Sequence, residues 1–262
     1  MMTIFERLSH TQQRFNVDNQ ETMSKLNGPE SHRFQSKSEE QNWLKKIESK
    51  ETATVIIRHQ YFAKSENKSI KYINLVRNPI ERSISGYYFM RYGKENCNVN
   101  ETNVNHGRWK FVQSLRKRVD GRTIGINLDD CVQLFKDDLE KCIRLEYLQY
   151  FCGNSLKCRD DNDYALNQAK ANILESYEVV GYLENVGSFL RALENMFPGW
   201  LTGATGIYED YKKQENDGHV FSSTCKYFHP VKNETRAILK KRMWREFELY
   251  EFIKKVFNEK FE

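Results

Sequence analysis

Apolar positions along the chain fall into short β-branched runs and into longer stretches at helical spacing. Residues 1–50 are polar and read as a helix, a break at Asn27-Gly28-Pro29, and a second helix. A capping box at Ser38-Glu39-Glu40-Gln41 would open that second helix ahead of Trp43, Leu44 and Ile47. Ala53-Thr54-Val55-Ile56-Ile57 has the composition of a buried strand and ends at Arg58-His59. A second strand runs from Ile70 to Val76 and stops at Arg77-Asn78-Pro79. From Ile80 the apolar spacing turns helical through Ile84, Tyr87, Tyr88 and Met90. Residues 93–127, rich in Asn, Gly and basic side chains, read as a long surface excursion. Beyond it the pattern predicts a helix from Leu128 to about Leu148, a tight turn at Cys152 to Cys158, and a helix over Asp163 to Tyr177. A short strand Glu178-Val179-Val180-Gly181-Tyr182, a helix from Val186 to Phe197 and helical spacing from Glu234 to Phe261 complete the chain. Strands alternating with helices predict an α/β fold with a mostly parallel sheet.

Composition narrows the class. With 262 residues, 39% of them hydrophobic, the chain suffices for one large domain over residues 1–262. An aromatic content of 13% and only 4 prolines argue for packed structure over linker. The formal charge of +5 is compatible with a polyanionic partner but does not demand one. No run approaches the roughly 18 apolar residues of a membrane span, and the N-terminus lacks a signal-peptide core. Four of the 6 cysteines form two close pairs, Cys131 with Cys142 and Cys152 with Cys158, while Cys97 and Cys225 stand apart. No CxxC or histidine cluster accompanies them, so short-range disulfides are the better reading and no metal is expected. Glycosylation sequons at Asn67, Asn100 and Asn233 agree with a disulfide-permissive secretory compartment.

The segment Tyr72 to Gly93 carries the most chemistry. An Arg at the carboxyl end of a parallel strand, followed by a Pro that starts a helix, would place a bidentate cation and free backbone N–H groups where α/β sheets bind ligands. Ser85, eight residues on, would add a hydroxyl donor to the same anion. Taken alone, these residues read more readily as a surface ion-pair partner, Arg77, and a helix filler, Ser85. Their order, Arg-Asn-Pro-Ile-Glu-Arg…Ser…Tyr-Tyr-Phe-Met-Arg-Tyr-Gly, resembles the 3′-phosphate-binding motif of sulfotransferases that use 3′-phosphoadenosine 5′-phosphosulfate (PAPS). The wording is similar to that of the uronyl and heparan sulfate 2-O-sulfotransferase family. Asn78 stands in place of the usual Asp, and Gly86 where the heparan enzyme carries a Tyr. The likeness continues through Tyr150 to Cys158, Ala165 to Asn172, Val180 to Glu184, Gly203 to Tyr208 and Trp244 to Phe252, covering roughly residues 53 to 260.

The resemblance implies a P-loop-like sulfotransferase fold, PAPS as donor with no metal, and a glycosaminoglycan acceptor, dermatan/chondroitin or heparan sulfate. It places Arg77 and Ser85 on the 3′-phosphate and supports the pairing of Cys131 with Cys142 and Cys152 with Cys158. It also assigns His59 as the base that takes the acceptor proton, a role that a side chain of pKa about 6.5 suits near neutral pH. Arg58 beside it, and Arg116 and Arg118 within the basic excursion, become candidate contacts to uronate carboxylate and sulfate. By the same likeness the protein is expected to be a type II membrane protein of the Golgi lumen, without a membrane segment in this chain, and a homo-oligomer, a trimer in relatives. No nucleic-acid motif accompanies the basic loop, so nucleic acid is not an expected partner.

Family members open their domain with a strand and a Pro-Lys loop around the 5′-phosphosulfate. The chain shows no such loop, and Gly93-Lys94 follows a helix, which cannot form that nest. The expectations are therefore an N-terminally incomplete active enzyme, first strand and loop missing, or a non-catalytic short form that binds glycan or oligomerises.

Overall fold

The computed structural model describes residues 8, 16–19, 33–57, 60–92, 115–119, 122–216 and 230–262. The chain divides into two compact units. One comprises Met1–Val76, Tyr147–Phe221 and Leu249–Glu262, the other Arg77–Glu146 and Ser222–Glu248.

The first unit holds two parallel strand pairs. Strand β1 (Asn16–Asn19) pairs with β2 (Thr54–Ile57), and β3 (Tyr72–Val76) with β6 (Tyr177–Tyr182). The expected parallel pairing is thus present, as separate two-stranded sheets among the described residues. Strand β1 lies in a stretch that the sequence reads as helix and loop. Its polar Asn16-Val17-Asp18-Asn19 has little strand propensity, and pairing along the β-branched β2 supplies what propensity lacks. Helix α1 (Lys37–Glu48) begins earlier than its expected box: Ser36 is the N-cap, its hydroxyl accepting from Glu39 N at 3.1 Å, while Glu39 Oε2 accepts from Gln35 N at 2.7 Å. The core gathers where the β3–β6 pair meets helices α4 (Tyr147–Cys152), α5 (Asp163–Ser176), α6 (Val186–Met196) and α7 (Ala204–Asn216). Phe151, Phe189, Leu193 and Phe257 are almost wholly buried in it. Gly181 in β6 lies so close to Phe189 that an added Cβ would run into the ring, which is why the strand accepts no side chain there.

The second unit contains helix α2 (Pro79–Tyr92), an antiparallel hairpin of β4 (Arg116–Val119) and β5 (Arg122–Gly125), helix α3 (Leu128–Leu134) and helix α8 (Asn233–Arg242). The first residues of α9 (Trp244–Phe261) follow. The hairpin lies inside what the sequence reads as surface excursion. Ile84, Leu128, Cys131, Val132, Cys142 and Leu239 form its buried centre.

The single helix expected from Leu128 to Leu148 is instead α3, a 3₁₀ turn at Leu139–Lys141 and the start of α4. That helix and the Cys131–Cys142 bridge are incompatible. Eleven residues of straight helix separate two Cα atoms by about 16 Å, whereas the disulfide holds them 5.9 Å apart. The covalent constraint wins, and the chain folds back after Phe135.

Candidate functional site

The strand, turn and helix around Arg77 fold as the sequence predicts. Val76 closes β3 as a buried residue, Arg77 and Asn78 follow, and Pro79 opens α2. Asn78 is the N-cap. Its Oδ1 accepts from Ile80 N at 3.0 Å and Glu81 N at 3.4 Å, and its carbonyl accepts from Arg82 N at 2.9 Å. An amide oxygen serves this purpose as well as a carboxylate, so Asn in place of Asp keeps the turn intact. The same bonds correct one expectation. Pro79 has no N–H, and the amides of Ile80, Glu81 and Arg82 are already engaged, so the opening of α2 does not offer the free backbone donors anticipated for a phosphate. Arg77 and Ser85 are both half-buried and both belong to the second unit.

Sequence reasoning missed a charged cluster beside them. Arg82, one turn before Gly86, reaches Glu146 at 2.9 Å and Glu246 at 3.9 Å and donates to the Arg144 carbonyl at 3.4 Å. Arg144 approaches Glu146 at 3.3 Å. Both carboxylates are buried, Glu246 at 1% exposure. Two cations against two anions leave the group near neutral, the condition for holding ions out of water. Gly86 opens onto a small cavity of about 80 Å³ lined also by Arg82, Ser83, Tyr87, Arg144 and Glu146. Nothing local signals this cluster, since the ion-pair partners lie 64 and 164 positions from Arg82. Elsewhere in α2, Glu81 pairs with Arg236 of α8 at 2.6 Å and the buried Ser83 hydroxyl meets Met243 Sδ at 3.7 Å, fixing the helix that presents Ser85.

In the first unit, β2 ends at Ile57, one residue before Arg58 and two before His59, which lie outside the described residues. The chain just beyond them is firmly held. Tyr61 Oη donates to Gln149 Oε1 at 2.9 Å, Phe62 N to the Tyr150 carbonyl at 2.8 Å, and Asn154 Nδ2 to the Phe62 carbonyl at 3.3 Å. Gly153, at φ +103°, permits this approach, because a Cβ there would sit 2.7 Å from the Phe62 oxygen. Asn172, 5% exposed, donates to the carbonyls of Phe151 and Cys152 at 2.7 and 3.1 Å and so ties α5 to the same turn. The Cys152–Cys158 disulfide closes it, as expected, with Cα atoms 5.6 Å apart.

Arg116 and Arg118 fall in β4, opposite Gly125 and Thr123 of β5; the structure describes their backbone alone. Asn67 is half-buried, and its Oδ1 accepts from both the amide and the hydroxyl of Ser69, at 2.9 and 2.8 Å. Asn233 is exposed in the first turn of α8, although Thr235 of its sequon is buried. Asn100, Cys97 and Cys225 lie outside the described residues. Among the described residues no group of three His, Cys, Asp or Glu side chains could hold a metal ion, and no helix is long and apolar enough to cross a membrane.

The chain is a relative of the uronyl and heparan sulfate 2-O-sulfotransferases. It is 30% identical to human uronyl 2-sulfotransferase over 230 residues, 85% of this chain and 52% of that protein. Mouse uronyl 2-sulfotransferase is 29% identical over 228 residues, with the same shares. Heparan sulfate 2-O-sulfotransferase 1 of Xenopus laevis is 32% identical over 183 residues, 69% of this chain and 45% of that protein. The chain spans about half the length of the curated relatives it matches. No protein-family model matches it.

Proposed function

We propose that the chain serves sulfate transfer from PAPS to the 2-hydroxyl of a uronic acid in a glycosaminoglycan, dermatan/chondroitin or heparan sulfate. What supports the proposal is the place of Arg77 just ahead of the Pro79 start of α2 and of Ser85 within that helix, in a chain related to 2-O-sulfotransferases. In this reading Arg77 binds the donor's 3′-phosphate as a planar, always charged fork, and Ser85 donates to the same group. The acceptor 2-hydroxyl oxygen attacks sulfur in line. A new S–O bond forms as the bond to the 5′-phosphate breaks, and adenosine 3′,5′-bisphosphate leaves. His59 takes the hydroxyl proton. Arg58, Arg116 and Arg118 are proposed to contact acceptor carboxylate and sulfate. The disulfides and the sequons at Asn67, Asn100 and Asn233 suit a protein of the Golgi lumen, where the relatives' likeness also suggests a homo-oligomer.

Calorimetry with adenosine 3′,5′-bisphosphate tests the donor site. Loss of a charge-assisted contact in Arg77→Ala should cost about 1.5–3 kcal/mol of binding, and unchanged affinity would remove Arg77 from the site. Transfer of labelled sulfate to desulfated dermatan and heparan tests the chemistry. His59→Ala should lose turnover and keep bisphosphate affinity; near-normal turnover would make His59 structural.

A further inference from the structure

Arg33, ahead of α1 in the first unit, is a buried cation without an anion. It is 6% exposed, and its Nη1 atom is shielded from solvent with no hydrogen-bond partner. Arg82 and Arg144 are less deeply buried, and both are paired with Glu146. Arg33 has no carboxylate partner among the described residues. Its guanidinium lies over the Tyr61 ring, 4.8 Å from the centroid. That attraction offsets part of the desolvation, but a ring face supplies no oxygen to the guanidinium donors. Arginine cannot relieve the burial by releasing a proton, as a lysine can. The acid that shares Asn154 with this region, Glu40, has its carboxyl raised by burial, with Lys37 and the Asn154 amide opposing; Arg33 does not act on it.

The surroundings hold this cation in place. Tyr61, 1% exposed, is fixed by its Oη bond to Gln149 Oε1 and by an edge contact with Tyr150, ring centroids 4.8 Å apart. Phe34 N donates to Asn154 Oδ1 at 3.1 Å, and Asn154 Nδ2 donates to the Phe62 carbonyl at 3.3 Å. One side-chain amide thus ties the residue after Arg33 to the residue after Tyr61. A cation immobilised beforehand loses little freedom when it meets a ligand. We infer that Arg33 is an acceptor-binding residue, whose guanidinium takes an anionic group of the glycan, the uronate carboxylate or a sulfate. The inference rests on the proposed glycan substrate. An arginine fork fits either group through paired charge-assisted hydrogen bonds, and such a partner is what a buried guanidinium lacks here. Tyr61 follows His59 by two positions, so the proposed base and the ring beneath Arg33 belong to one short segment after β2. A uronate carries its carboxylate on the same ring as the 2-hydroxyl that the base would deprotonate, which favours the acceptor over a donor phosphate as the source of the anion.

Calorimetry on the 262-residue chain with desulfated dermatan, carboxyl-reduced dermatan sulfate and adenosine 3′,5′-bisphosphate separates the sources without any transfer reaction. Arg33→Gln should bind the glycan that carries its target anion about tenfold or more weakly and keep its bisphosphate affinity. Loss confined to desulfated dermatan assigns the carboxylate, loss confined to the carboxyl-reduced chain assigns a sulfate, and loss of both shows that Arg33 takes either. Arg33→Lys keeps the charge without the fork and should fall between wild type and Arg33→Gln. Lys46→Gln, which removes one exposed charge from α1, should bind as wild type does. Wild-type glycan affinity in Arg33→Gln, an equal loss in Lys46→Gln, or a loss of bisphosphate binding in place of glycan binding would overturn the inference. Circular dichroism checks folding. If Arg33→Gln does not fold, Arg33→Lys decides alone; unfolding of both would put Arg33 in the scaffold and overturn the inference as well. Wild type that binds neither glycan would remove the proposed substrate and this inference with it, whereas glycan binding indifferent to Arg33→Gln removes this inference alone.

Discussion

Arg82 has the heaviest electrostatic duty of the described α2 side chains, because it faces two buried carboxylates. Removing a charge from such a cluster leaves its partners desolvated without compensation, and that residual burial is costlier than the pair is favourable. Arg82→Ala should therefore destabilise the protein by about 3 kcal/mol or more, seen as a lower midpoint in urea. Arg82→Ala and Arg77→Ala sit five positions apart and should behave oppositely: the second should weaken bisphosphate binding with little change in the midpoint. A large stability loss in Arg77→Ala would assign that side chain to the scaffold. The two buried carboxylates that Arg82 faces are what mark it as part of the scaffold, and its identity in the sequence does not reveal them.

At the scale of the element, α2 depends on its first turn. Asn78 supplies the acceptor for two of the amides that a helix start leaves unmatched. Asn78→Ala should cost about 0.5–2 kcal/mol, while Asn78→Asp should keep the cap and gain from the positive end of the helix dipole. Thermal melts of the two variants against wild type check the order. Because the cap also orients the turn that carries Arg77, the Ala variant should bind adenosine 3′,5′-bisphosphate less well than the Asp variant. Equal binding in both would detach the cap from the site.

Across the whole molecule, covalent ties and buried phenols set the conditions under which the fold persists. The Cys131–Cys142 bridge closes a loop of 11 residues within a core where both sulfurs are fully buried. Replacing both by Ala should cost about 2–4 kcal/mol, and non-reduced peptide mapping should find this bridge and Cys152–Cys158 intact in the native protein. Tyr72 and Tyr177 pack with ring centroids 5.8 Å apart beside Phe62. Burial pushes the Tyr72 phenol up to about 12 and raises Tyr177 as well. A phenol whose folded pKa is raised stabilises the fold fully below its unfolded value of about 10. Above that pH the unfolded chain releases its proton first, so stability falls as pH rises from about 10 towards 12. Alkaline titration followed by circular dichroism should show unfolding in that window, and Tyr72→Phe should move it to higher pH.

Short-range pattern made much of this protein legible before any coordinate. The β-branched runs of β2, β3 and β6, the Pro79 start of α2 and the two close cysteine pairs are local, and local sterics and short loops determine them. The ordering of Arg77, Asn78, Pro79 and Ser85 could likewise be read directly, with the resemblance giving it a meaning that spacing alone left open. Tertiary structure decided the rest. Strand β1 exists through its pairing with β2, and the segment after Leu134 bends because the disulfide forbids a straight helix. The amides of Ile80 and Glu81 at the head of α2 are engaged by Asn78 and so are not the free donors that the strand–proline pattern suggests. Arg82, Arg144, Glu146 and Glu246 come together from three separate stretches of chain. Ion pairs act over a few ångströms in space, and no periodicity along the chain records which distant residues will lie that close.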